Sequence, residues 1–473
     1  MGIADVIIRL AVGGAAALHL LAGHLPEDSV WGAYHTTVLP APLAWLGAVM
    51  VVALALAPVN DALRRLCLRL WDALPGRSHA QRWTIGLSLI SAVPFWLLRI
   101  RHVRWGDAEF IVKALSYTGA DRPDWTIYNW QSPLTIFLHA RLWLLLNPLP
   151  GIGVDSLYGL SSVLSGVGFV YLLLCLADQL GRDRLEKATL FGLVATTGSM
   201  QLFFGYIENY TLMSLGLMLT LYLGIRCQRG ETALVWPALS LAVTNAFHPS
   251  TIVLWPALLT MTWRLARERT RSGGQCAPVW LQLILPPLLV FLALAAFMQC
   301  AGHGPASLFT DDRPGGADGI PFVPLFEVTT RWQYYTMFSA AHLLDWANEH
   351  FLISPFGLFL LAGALLGFIG RRMRGPSAAG DGGVTSFLLV ASLSYLLLTW
   401  VWNPDYGGRK DWDLFAPSAF VYTTLAAYLF VRGRDGVAGP PHTRIRLARN
   451  ATLLIAAAAL HTAAWVIYNT MFW

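Results

Sequence analysis

The chain alternates long apolar blocks with short polar joints. The blocks run for about 17–25 residues, the length that crosses the hydrocarbon of a bilayer as a helix. They lack the period-two alternation of a transmembrane strand, so the pattern predicts helices rather than a closed barrel. The expected fold class is an all-α polytopic membrane protein of about thirteen spans. They fall near 4–24, 41–58, 83–99, 156–178, 188–205, 209–225, 232–247, 250–264, 279–300, 351–370, 384–401, 415–431 and 450–471. The first block passes Leu20 without a clear small-residue cleavage site, so it reads as a retained helix rather than a signal peptide.

One apolar stretch resists this reading. Residues 132–149 are long enough to cross, but they hold His139 and Arg141 and lie between Pro133 and the prolines at 148 and 150. Taking them as a surface helix keeps the basic loop 182–187 in the cytoplasm, as the positive-inside rule prefers. The N-terminus is then cytoplasmic and the C-terminus external. Three regions follow. Residues 1–82 hold two spans and a basic amphipathic segment with Arg64, Arg65, Arg69, Arg77 and Arg82. Residues 83–432 form the main transmembrane unit, with outer loops 100–154, 301–350 and 402–414. Residues 433–473 hold a connector and the last span. In the second half of loop 301–350, Arg331 to His350 carries Trp332, Tyr334, Tyr335, Phe338, Leu343, Leu344 and Trp346, a pattern that suits an interfacial helix.

Composition agrees with the pattern. Of 473 residues, 56% are hydrophobic and 13% charged, against roughly 25% charged in soluble domains. The net charge of +6 reflects the Arg excess that orients membrane proteins, so no nucleic-acid partner is expected. In this layout most Lys and Arg are cytoplasmic and most acids external. Acids contribute little to orientation, so their excess outside points to what that face does. The five cysteines are scattered without a CxxC spacing, which supports neither a disulfide framework nor a zinc site.

The outer loops carry the candidate chemistry. Trp105-Gly106-Asp107-Ala108-Glu109 sets two carboxylates just after the third span. Burial there would raise a carboxyl pKa toward that of a working general base, although a solvated pair explains the same residues. Gly205-Tyr206-Ile207-Glu208-Asn209-Tyr210 is a very short turn that holds Glu208 at the membrane boundary, where an acid is costly. Its plainer reading is a capping Glu/Asn pair flanked by interfacial tyrosines. His248, in the turn before Pro249, can orient a carboxylate or donate to a phosphate, or serve only as a structural hydrogen-bonding residue. The densest cluster is Trp402–Phe415. Arg409 and Lys410 suit a phosphate, Asp411 and Asp413 suit those cations or sugar hydroxyls, and Trp402 or Trp412 suits a sugar face. Asp311-Asp312-Arg313 reads as solvated loop charge. A Mg²⁺ or Mn²⁺ ion is compatible with so many acids, but no pair has a committed ligand spacing.

A span, an acidic outer loop, a surface helix and then the next span is an order that resembles the GT-C superfamily of membrane glycosyltransferases. Trp105-Gly106-Asp107-Ala108-Glu109 matches the position of that family's catalytic acid, and Gln131-Ser132-Pro133-Leu134 resembles its Pro-Leu start of a surface helix. The likeness covers about residues 83–432. Ala108 separates two acids that several members hold adjacent, spans one and two precede the matching unit, and the soluble C-terminal domain of some members has no counterpart.

The resemblance implies an inverting transfer of a sugar from a polyprenyl phosphate to a hydroxyl of a glycan, lipid or protein acceptor. The expected setting is the periplasmic or extracellular face of a bacterial inner membrane, with membrane lipids as further partners. Asp107 would be the base and Glu109 its rival. Arg409 and Lys410 would hold the leaving phosphate, with Asp411, Trp412, Asp413 and His248 lining the donor site. Glu208, Asn209 and Tyr210 would position acceptor or sugar. A polymerase or ligase using a lipid-linked oligosaccharide, an ion-coupled transporter and a noncatalytic lipid-binding subunit are the alternatives. Few mid-span charges and no visible repeat count against the transporter.

Overall fold

A computed structural model describes residues 3–72, 80–116, 126–309, 324–328, 335–372, 382–404, 406–432 and 441–471. The described residues form helices and turns, with no strand among them. The organising element is α18 (Trp412–Arg432), the eighteenth α-helix in chain order, which is buried along almost its whole length. Ala416, Ser418, Ala419, Ala426 and Ala427 give it a slim profile, and small side chains are what let helices approach closely where lipid supplies no hydrophobic drive. Around it pack α10 (Arg184–Ala195), α11 (Tyr210–Gln228), α16 (Gly357–Arg372) and α17 (Gly382–Val401). The 27-residue α9 (Val154–Leu180) joins α10 and α11 in the next layer, with α5 (Ala80–Ile90) and α6 (Ala92–Leu97) on its flank. The helices α12 (Val235–Phe247), α13 (Trp255–Arg271) and α14 (Ala277–Cys300) extend the bundle on one side.

On the other side, α1 (Ile3–Leu21), α3 (Ala41–Ala55) and the amphipathic α4 (Ala57–Asp72) pack against the last helix, α19 (Pro441–Met471). Arg449 of α19 clasps Asp61 of α4 with Nε–Oδ1 at 3.0 Å, and Asn450 donates to Asp5 of α1 at 2.8 Å. The short α2 (Glu27–Tyr34) lies against α15 (Ala340–Ile353).

The span count differs from the expected thirteen. Seven helices among the described residues are long and apolar enough to cross, or nine if each of two sharply bent helix pairs is one span. The reason is local. The block at 83–99 breaks near Ser91 into α5 and α6, and that at 188–205 ends in a 3-10 turn at Gly198–Phe203. Pro249 opens another 3-10 turn, so the block at 250–264 starts late as α13. The block at 232–247 yields only the 13 residues of α12. The stretch at 132–149 becomes α8 (Pro133–Leu146), whose 14 residues reach about 21 Å, short of a roughly 30 Å hydrocarbon core. Helix α15 meets α16 at 98°, so a crossing α16 leaves α15 along the surface. The expected helix Arg331–His350 begins only at Ala340, and its Trp332 and Tyr334, like Asp311–Arg313, lie outside the described residues.

The polar joints sort to two ends of the bundle. Asp178, Arg182, Asp183, Glu186, Lys187 and Glu231 gather at one end through pairs such as Arg182–Glu186 at 2.9 Å, Lys187–Asp178 and Arg444–Asp183. The turns that carry the candidate chemistry meet at the other.

Candidate active site

Asp107 lies in the turn between α6 and α7 (Ala108–Ser116). That turn is pinned from behind. Trp105 is buried, donates from Nε1 to Asn469 Oδ1 of α19 at 2.8 Å, and sets its ring 5.6 Å from that of Trp465. The next residue, Gly106, has φ +51° and donates its N–H to Lys410 O at 2.9 Å. A Cβ there would lie 2.6 Å from Glu208 Oε1 and 2.9 Å from Asp413 Oδ2. Glycine is therefore required twice over, by a left-handed backbone and by two carboxylates pressed against it. The N–H of Asp107 donates to Glu208 Oε1. Residues 106, 208 and 410, from three distant segments of the chain, thus belong to one network built on backbone approach.

Glu208 is buried and its second oxygen accepts from Asn209 N at 3.2 Å. Burial, with Asp413 and then Asp107 nearby, raises its carboxyl well above the ordinary value, although the two backbone N–H groups oppose the shift. Asp413, at the start of α18, accepts from Tyr206 Oη at 3.1 Å and from Leu414 N at 3.1 Å. Asp411 accepts from Tyr406 N at 2.9 Å. Trp412 is fully enclosed, with its ring 5.3 Å from Tyr206 and 5.6 Å from Trp465. It is a structural wedge between the two acids rather than an open platform for a sugar, which corrects the expectation of a sugar-facing ring.

A second carboxylate pair extends the cluster. Asp345 and Glu349, four apart on α15, face the turn at Gly407–Gly408. Asp345 Oδ1 accepts from Trp31 Nε1 at 2.8 Å, and Oδ2 accepts from Tyr335 Oη and from Gly408 N, the latter at 3.2 Å. Burial raises the Asp345 carboxyl. Glu349 is buried with Oε1 lacking a hydrogen-bond partner. Its carboxyl is pushed well up by burial and then by Asp345, Asp411 and Asp413. Sequence reasoning missed this pair. Its signal was the i,i+4 spacing of two acids on an otherwise aromatic helix.

The other expected residues are placed as follows. Glu109 is on the exposed side of α7, paired with Lys113 at 2.6 Å, which holds its carboxyl below the usual range. It does not join Asp107 at the cluster. Arg409 is engaged by Glu27 of α2, with Asp28 4.0 Å away. Lys410 contributes its carbonyl to Gly106, and its side chain is part-exposed. His248 is buried, with Nδ1 2.8 Å from Ser250 Oγ and its ring 4.9 Å from Tyr210. Burial lowers its pKa to about 4, so the ring is neutral. Asn209 keeps a buried Oδ1 without a partner. Tyr210 links His248 to the Glu208 turn.

Six carboxylates from four separate chain segments therefore meet at one end of the bundle, with Arg409 tied off at their edge. No three of these carboxylates bring ligand atoms close enough together to hold an ion among the described residues.

The crystal structure of ArnT from Cupriavidus metallidurans in the apo state superposes on this chain with a TM-score of 0.50 and 11% identity, over 83% of this chain and 78% of that one. The two chains share a fold. At the level of sequence no family model and no curated protein matches. The long apolar helices and the shared fold make this an integral membrane protein. Within that fold the acid cluster sits at the starts of α18 and α11 and along α15.

Proposed function

We propose that this protein is an inverting glycosyltransferase that moves a sugar from a polyprenyl-phosphate donor to an acceptor hydroxyl at the outer face of the membrane, with Asp107 as the general base. The observation that carries the reading is the seat of Asp107. Its backbone is fixed by Glu208, and it stands beside two buried acids, Glu208 and Asp413. A carboxylate whose backbone is fixed at the mouth of such a cluster is positioned to take a proton from a bound hydroxyl. Glu109 has the opposite surroundings, an exposed position and a lysine partner.

In this reading Asp107 takes the proton of the acceptor hydroxyl as its oxygen attacks the anomeric carbon from the face opposite the phosphate. The bond from that carbon to the phosphate oxygen breaks, and the electron pair leaves with the lipid phosphate. Arg409 and Lys410 meet the charge that grows there. Arg409 must first exchange Glu27 for the phosphate, while α2 stays tied to α15 through Trp31 and Asp345. Glu208, Asn209 and His248 position the sugar and the acceptor.

The test is transfer by purified protein in lipid with a panel of polyprenyl-phosphate sugars, read as released polyprenyl phosphate. Asp107→Asn is expected to lose about 10²–10⁴-fold in rate, the usual worth of a general base, while Glu109→Gln stays within about tenfold of wild type. A folded Asp107→Asn protein with wild-type transfer would overturn the assignment.

A further inference from the structure

A second polar cluster lies away from the carboxylates. His19 near the end of α1, His35 in the 3-10 turn His35–Val38, and His461 in α19 turn their rings toward one another. Ring centroids are 5.4 Å apart for His19–His35, 4.8 Å for His35–His461 and 5.0 Å for His19–His461. One ring nitrogen from each residue lies within 4.8 Å of the other two. His35 and His461 are buried and His19 is part-buried.

The hydrogen bonds around this trio leave a specific gap. His461 Nε2 is 2.9 Å from Leu352 O, a group that can only accept. His19 Nδ1 is 3.3 Å from Ala33 O, which also only accepts. His461 Nε2 therefore carries that residue's proton, and a neutral imidazole has one N–H, so His461 Nδ1 turns a lone pair toward the trio. It faces His19 Nε2 at 3.0 Å, while Thr36 Oγ1 stands 3.4 Å from His19 Nδ1. His35 adds an unmet demand, since neither of its buried ring nitrogens makes a hydrogen bond of ordinary geometry.

We propose that His19, His35 and His461 form a three-imidazole site for a late first-row divalent metal ion such as Zn²⁺. Imidazole suits Zn, Cu, Ni and Fe rather than Mg or Ca. A backbone carbonyl on the outer nitrogen of a ligating histidine is the usual outer support, fixing tautomer and ring direction, and His19 and His461 both have one. Zinc–nitrogen bonds of about 2.0–2.1 Å in tetrahedral geometry set ligand nitrogens roughly 3.4 Å apart, so a rearrangement of about one ångström closes the trio onto an ion. The fourth position has room. His19 and His461 also line an apolar cavity of about 250 Å³ with Val12, Ala16, Leu43 and Leu460. The ion would join α1, the turn after α2 and α19, which are 442 residues apart at the His19–His461 contact. The site is independent of the transfer chemistry proposed for Asp107.

The experiment uses the full chain in detergent, stripped with a chelator, reloaded with Zn²⁺, Co²⁺ or Mg²⁺ and passed through a desalting column. Wild type is expected to keep about one Zn²⁺ or Co²⁺ per chain, keep no Mg²⁺, and show the intense visible absorption of tetrahedral Co²⁺. Its unfolding temperature should rise on reloading, as it does for any ligand that binds only the folded state. His35→Ala and His461→Gln should each weaken Zn²⁺ binding at least about 100-fold, beyond what loss of an outer support costs. Asp107→Asn should retain the metal, which separates this site from the carboxylate cluster. Wild type that keeps no Zn²⁺ or Co²⁺ would overturn the proposal and leave an imidazole–imidazole hydrogen bond between His19 and His461. Retention of the metal by folded His35→Ala and His461→Gln, or its loss only in Asp107→Asn, would overturn it equally. Should either histidine variant fail to fold, the wild-type Co²⁺ spectrum still decides between nitrogen ligation and none.

Discussion

At the scale of the residue, the acids at positions 107, 208 and 413 show how burial changes the meaning of a carboxylate. Glu208 is held with its carboxyl well above the ordinary value of 4.5. Its unfolded-state value is near that ordinary one, so between the two values the folded protein binds more protons than the unfolded chain. The linkage relation then makes stability fall as pH rises through that interval. Wild type is expected to lose unfolding temperature from pH 5 toward pH 8, and Glu208→Gln, which cannot ionise, to lose less. Equal slopes in a thermal-unfolding series across that range would refute the role given to burial. The sequence made Asp107, Glu208 and Asp413 visible because each follows or opens a hydrophobic block. Asp345 and Glu349 were not legible in the same way. Their helix is rich in aromatic and histidine side chains, and nothing local says which face is covered. The histidine trio was equally silent, since its members come from three distant segments and no short spacing announces them.

At the scale of the element, α18 explains why the bundle holds its acids in place. Its alanines are fully enclosed, as at Ala419, and enclosed small residues cannot grow without moving a neighbour. Ala419→Leu is expected to destabilise by about 1–3 kcal/mol through overpacking. Leu393→Ala, at a position of α17 that is 52% exposed, should change stability by no more than about 0.5 kcal/mol. Thermal unfolding of the two variants side by side checks the contrast, and a neutral Ala419→Leu would mean that α18 is looser than its packing shows. Hydrophobic blocks read well for α9, α11, α14, α17, α18 and α19, where length and apolarity agree. They read poorly where a proline or polar residue divides a block, as at Ser91 and Pro249, because hydropathy averages over the break that ends a helix.

At the scale of the whole molecule, the two polar ends of the bundle give a topological prediction. In a background without the five native cysteines, a cysteine placed at Asp183 and one placed at Glu109 should react with a membrane-impermeant thiol reagent from opposite sides. Reaction of both from one side would break the proposed two-faced arrangement. The ArnT-like fold was readable in the order of span, acidic loop and surface helix. The attachment of α1–α4 to α19 was not, because Arg449–Asp61 and Asn450–Asp5 join residues almost a full chain apart.

The anchor of Trp105 on Asn469 has a consequence for how the protein is made. Trp105, two residues before Asp107, is made 364 residues before the asparagine that anchors it. Until then it lacks both Asn469 and the ring of Trp465. A nascent chain stalled before residue 441 would carry every proposed catalytic residue and still lack the clamp behind Asp107.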